Sequence, residues 1–171
     1  EVRISMVEHD QFFIEEEDWG YTIFEKGSPF WCDGVPEPHN TLACSGSTYL
    51  HLYRATGEPY FLDRATRLAK LFKKNHIAQP DGTWLFHYWW GSMHDGWSSQ
   101  DRVSLNLPAY SGAKTVEDIS HFQLTLLFLV DCYENGIVFE KQDLTRWAKT
   151  FHQVIYREDA DGPFLSFRID G

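Results

Sequence analysis

Apolar positions recur at helical spacing in two pairs of segments, and the second pair repeats the first. Leu42, Gly46, Tyr49, Leu50 and Tyr53 fall on one face of a helix expected over 41–55. Thr41 is its expected N-cap, Gly57 its C-cap, and Pro59 suits the first turn of the next helix. That helix carries Phe61, Ala65, Leu68, Ala69 and Phe72 on one stripe. The pair reads as an antiparallel αα-hairpin over 41–76. A third helix, 116–134, holds Ile119, Phe122 and Leu126 through Val130, with little polar face. It is expected to be an inner helix, buried on several sides. Asn135-Gly136 ends it, and a fourth helix carries Leu144, Trp147, Ala148, Phe151 and Ile155. The second hairpin therefore spans 116–156.

The residues themselves repeat as well. Ala65-Thr66-Arg67-Leu68-Ala69-Lys70-Leu71-Phe72 matches Leu144-Thr145-Arg146-Trp147-Ala148-Lys149-Thr150-Phe151. Asp81-Gly82-Thr83-Trp84-Leu85 matches Asp161-Gly162-Pro163-Phe164-Leu165, and Gly57 matches Gly136. The repeated unit is two helices, an Asp-Gly turn and an aromatic, strand-like arm. Such a unit cannot bury its own apolar face and stacks on copies of itself. The expected fold is a single all-α domain over 1–171, built of stacked antiparallel αα-hairpins with short strand-like aromatic arms. Residues 1–40 read as irregular, with a short helix around Ile4 to Ile14. Residues 77–115 read as a Trp-rich loop, and 157–171 as the start of the next connection. No cap follows the second unit. That predicts a piece of a longer protein, or closure as a homodimer through the exposed hairpin edge.

Composition narrows the partners. A formal net charge of -10 argues against nucleic acid or an anionic membrane surface. No apolar run is long enough to span a bilayer. Cys32, Cys44 and Cys132 are odd in number and lack metal-ligand spacing, so buried thiols are expected. The compartment stays open. Seven Trp exceed what a core of this size needs, which points to a cleft where flat rings stack on a ligand such as a sugar.

The repeat also places the polar outliers. It aligns Pro38-His39-Asn40 with the Glu117-to-His121 segment, so both should lie at one rim, to which the Asp81-to-Ser111 loop also returns. Glu117 and Asp118 precede His121 by four and three residues, so both carboxylates can reach its helical face. A carboxylate on an imidazole fixes the tautomer a general base needs. The competing reading is an acidic helix cap with a satisfied histidine. Asn40 likewise reads as a cap or a ligand amide. Alternation along Thr83 to Trp90 sends Trp84, Phe86 and Tyr88 to one face and His87 and Trp89 to the other. His87, His94 and Asp95 fit no strong metal signature, and no metal or cofactor is expected. There is no Gly-rich phosphate loop and no serine elbow.

Leu52-Tyr53-Arg54-Ala55-Thr56-Gly57-Glu58-Pro59-Tyr60 and Val116-Glu117-Asp118-Ile119-Ser120-His121 resemble the α/α-toroid carbohydrate-active enzymes. These are the six-hairpin glycoside hydrolases, polysaccharide lyases and sugar epimerases. The resemblance covers about residues 38–160 and implies part of an α/α toroid acting on a carbohydrate. For a lyase it implies a uronate-neutralising Asn40, a base at His39 or His121, and an acid at Tyr88 or Tyr110. Arg102 or Arg54 would add positive charge, and Trp89, Trp90, Trp97, Tyr110 and Arg102 would bind substrate. A glycoside hydrolase would instead pair Asp118 or Glu117 with Asp33, Asp95 or Asp101. A third reading is a non-catalytic module that binds glycan or protein through the Trp-rich loop.

Overall fold

The computed structural model describes residues 1–171. Helices α1 (Val2–His9), α2 (His39–Thr56), α3 (Pro59–Asn75), α4 (Ser92–Asp95), α5 (Ile119–Glu134) and α6 (Lys141–Thr150) alternate with short strands. The strands are β1 (Phe13–Glu15), β2 (Gly20–Thr22), β3 (Ile77–Ala78), β4 (Trp84–Leu85), β5 (Tyr156–Asp159) and β6 (Gly162–Leu165). They pair as three antiparallel hairpins, β1–β2, β3–β4 and β5–β6.

The expected all-α stack of hairpins forming part of an α/α toroid is therefore wrong. The chain is a mixed α/β protein, 47% helical and 15% strand. The physical reason lies in the Asp-Gly turns. Asp81 accepts hydrogen bonds from the Thr83 N–H and hydroxyl, and Gly82 takes the positive φ of 83° that turns β3 into β4. Asp161-Gly162 closes β5–β6 in the same place of the second unit. The repeat thus includes a β-hairpin where a strand-like arm is expected. Residues 1–40 hold a short helix, α1, starting and ending earlier than the expected Ile4 to Ile14, and the β1–β2 hairpin where irregular chain is expected. Arg64 on α3 holds this N-terminal part with a two-pronged ion pair to Asp10, at 2.8 and 3.0 Å.

The helices are built as their sequence implies. Gly57 ends α2 in the left-handed region, donating its N–H to the Tyr53 carbonyl, and Pro59 opens α3. Helix α2 begins two residues before Thr41, at His39 after Pro38. Asp118 caps α5, and Glu140 with Asp143 forms a capping box at α6. Leu42, Tyr49, Phe61, Leu68, Phe72, Phe128 and Trp147 fill one core between α2, α3, α5 and α6. Helix α5 is not buried all round. Phe122, Phe128 and Leu129 face inward, while Leu127 is 62% exposed. No helix is long and apolar enough to cross a membrane.

Helices α2 and α5 run side by side in the same direction. His39 and Phe122 at their starts both touch the Phe86 ring, and Ser47 further on bonds Asp131 at 3.1 Å. Both N-termini therefore reach the same end of the core. A smaller cluster of Cys32, Val35, Met93 and Trp97 sits under the loops there.

Candidate functional site

The segment after β4 organises this end of the molecule. The Phe86 carbonyl accepts from the Glu117 N–H at 3.1 Å, and the Tyr88 N–H donates to Thr115 at 2.9 Å. On the other side, the Ile169 N–H donates to the Glu117 carbonyl at 3.0 Å and the Ile119 N–H to Phe167 at 3.0 Å. Residues 115–118 are thus held between two extended neighbours just before α5 starts. That clamp sets Glu117, Asp118 and the first turn of α5 rigidly against Tyr88.

Asp118 and His121 are directly hydrogen-bonded. His121 Nδ1 donates to Asp118 Oδ2 at 2.7 Å. Asp118 Oδ1 accepts from the Ser120 and His121 N–H groups. Burial pushes the Asp118 carboxyl up. Hydrogen bonds from Ser120 and His121 outweigh it and hold the group down at about 2. With Nδ1 committed to a carboxylate, neutral His121 keeps its free lone pair on Nε2. The imidazole is half-exposed. The Tyr88 ring lies 5.1 Å from it, centroid to centroid. Burial, then the charges of Glu117 and Asp118, raise the Tyr88 phenol, which keeps its proton.

Glu117 is fully buried. Its Oε1 accepts from the Asp118 N–H at 2.9 Å and lies 3.9 Å from His121 Nδ1, while Oε2 has no partner. Burial is the main reason its carboxyl is pushed up to about 7.

His39 stands apart from this group. It is 1% exposed, donating from Nδ1 to the His87 carbonyl at 2.9 Å and accepting at Nε2 from Asn75 at 2.9 Å. Burial pushes it down to about 4, so it is a neutral, fully bonded imidazole. Asn40 is half-buried, and its Oδ1 is buried without a partner. A cleft of about 180 Å³ opens beside His39, lined also by Asn75, His87, Trp89, Trp90, Gly91, His94 and Asp95. His121 does not line it. The two areas adjoin through Tyr88 and Trp89, whose rings meet edge to face at 5.1 Å.

The alternation expected along this segment holds at four of its positions. Trp84 and Phe86 are buried, while His87 and Trp89 line the cleft. The remaining aromatic candidates divide. Trp90 donates Nε1 to the Glu37 carbonyl and packs on Trp19, Tyr21 and His39, with one side on the cleft. Trp97 is 8% exposed, donates to the Leu107 carbonyl and belongs to the small core. Tyr110 packs against Trp97 and Trp31. Arg102 is exposed, at a positive φ of 52°.

Of the acids considered for a second carboxylate, Asp33 and Asp101 are engaged in loop structure, while Asp95 ends α4 and lines the cleft. Asp33 is buried, accepting from Ser104 and from the Gly27, Leu105 and Asn106 N–H groups. Asp101 accepts from Ser98, and Asp95 from His94. His87 shares the ligand-facing side expected for Trp89, whereas His94 enters the sequence analysis only as a rejected metal ligand and Asn75 not at all. Asn75 had no such signal, because its partner His39 is a whole helical hairpin away. Glu117, Asp118 and His121 have ligand-type atoms within 4.8 Å of one another, but the Asp118 carboxylate already accepts four hydrogen bonds from Ser120 and His121. Compared with known protein families, curated proteins and solved structures, the chain matches none.

Proposed function

We propose that this end of the molecule is an acid–base site for a carbohydrate, acting by β-elimination on a uronate unit. The observation that carries the reading is the Asp118–His121 pair with Tyr88 beside it. Asp118 orients the imidazole and compensates the charge it gains. His121 Nε2 takes the C5 proton of the uronate. The electron pair left on C5 forms the C4=C5 double bond, the C4–O4 bond breaks, and the Tyr88 hydroxyl gives its proton to O4. One proton is taken and one returned, so the products are an unsaturated sugar and a free hydroxyl. Trp89 offers a flat face in the adjoining cleft for a neighbouring sugar ring.

The neutral, buried His39 supports a scaffold role for that residue and leaves His121 as the base. Paired-acid hydrolysis draws less support, since Asp33 and Asp101 serve their own loops and Asp95, though on the cleft, is paired with His94. The test is to incubate the protein with a panel of uronate-containing and neutral polysaccharides. New ultraviolet absorbance from the conjugated double bond is the expected result. Reducing ends without that absorbance would replace elimination by hydrolysis. Binding without either product would make the site a glycan-binding module.

A further inference from the structure

We propose that Glu117 is a positioning residue that acts behind His121, a buried carboxyl whose single proton sets the field at the imidazole while the carboxyl never meets substrate. The proposal rests on the acid–base reading of His121. Three observations carry it. Glu117 is fully buried, so no substrate atom can reach it. Its main chain is fixed on both sides, by Phe86 and by Ile169, and its Oε1 accepts from the Asp118 N–H. One of its oxygens lies 3.9 Å from His121 Nδ1, while the other is buried without any partner.

A buried carboxylate oxygen without a protein partner is costly, whereas a protonated carboxyl carries no net charge to desolvate. The groups facing it are few. Asp118 and His121 come from its own stretch of chain, Tyr88 from the extended segment on one side, and Arg168 from the extended segment on the other. Burial dominates and holds the proton on Glu117 near neutrality; the charges of His121 and Arg168 oppose it. When Glu117 loses its proton to solvent, a negative charge appears 3.9 Å from the imidazole. The protons of Glu117 and His121 are therefore linked.

Carbon-detected NMR of the glutamate carboxyl groups in the whole chain tests this without any substrate. One carboxyl should titrate with a midpoint of about 7. Its resonance should vanish in Glu117→Gln, and its midpoint should move to higher pH in His121→Gln, where the opposing charge is gone. His121 is half-exposed, so its replacement opens no core cavity, and circular dichroism checks that the variant is folded. A Glu117 carboxyl that titrates with the surface glutamates would overturn the proposal. So would a midpoint that His121→Gln leaves in place. Absence of turnover on every polysaccharide would sink the elimination reading instead and leave this coupling standing.

Discussion

The carboxylate of Asp118 lies 2.7 Å from Nδ1 of His121, on the first turn of the helix that the same carboxylate caps. The two readings available from the sequence, a cap and a catalytic dyad, describe one arrangement. Asp118→Ala should cost about 0.5–2 kcal/mol as a lost N-cap. It should also free the His121 ring. Asp118→Ser restores the cap alone. Chemical denaturation should then recover most of the stability, while turnover stays low. Full recovery of turnover in Asp118→Ser would show that the cap is all that Asp118 supplies.

Trp97 and Trp89 looked equivalent in the sequence, and the fold separates them. Trp97 is buried with its indole N–H bonded to Leu107, whereas Trp89 lines the cleft. Trp97→Ala should lower stability by about 3–5 kcal/mol. Trp89→Ala should cost less stability and weaken glycan binding. Calorimetric unfolding together with glycan titration checks both. Equal loss of stability in the two variants would remove Trp89 from the ligand surface.

Gly46 faces the Phe128 ring across the α2–α5 contact. A Cβ at residue 46 would meet ring atoms at 2.5 Å, and Phe128 is fully buried with nowhere to move. Gly46→Ala should therefore destabilise by about 1–3 kcal/mol despite its better helix propensity. Phe128→Leu on the same background should give back part of that loss in a double-mutant cycle. Additive costs would mean that the helices do not touch there.

Acid should weaken the fold in a defined window. Burial lowers His39 from 6.5 to about 4 and His76 from 6.5 to about 3. As pH falls below 6.5, the unfolded chain binds protons that the folded chain refuses, so stability drops until the folded groups also titrate. His76 sits among the Trp84, Phe139 and Trp147 rings with both nitrogens unpartnered. His76→Phe should flatten the loss measured by denaturation between about pH 6.5 and 4. An unchanged slope would mean that His76 is hydrated in the folded protein.

Local chemistry made part of this legible. Gly57, Pro59 and Asn135-Gly136 punctuate the helices as their backbone preferences require, and the Glu117-to-His121 spacing brought its members together. The β-hairpins were missed because each has one short strand pair, too few residues for period-two alternation to stand out. His39 was read as a rim base. Its burial depends on Asn75, His87 and Phe86, whose approach follows from packing and leaves no mark near residue 39. Helix α5 reads as an inner helix buried on several sides because apolar residues cover its outer face too, yet Leu127 remains in solvent.

The most direct test of the account is the elimination rate of His121→Gln and Tyr88→Phe against the unaltered chain, on the best substrate of the polysaccharide panel. Loss of a positioned base or acid should lower turnover by about 10²–10⁴-fold while substrate binding persists. Turnover that survives both substitutions would contradict the assignment of the acid–base site to the Asp118–His121–Tyr88 group.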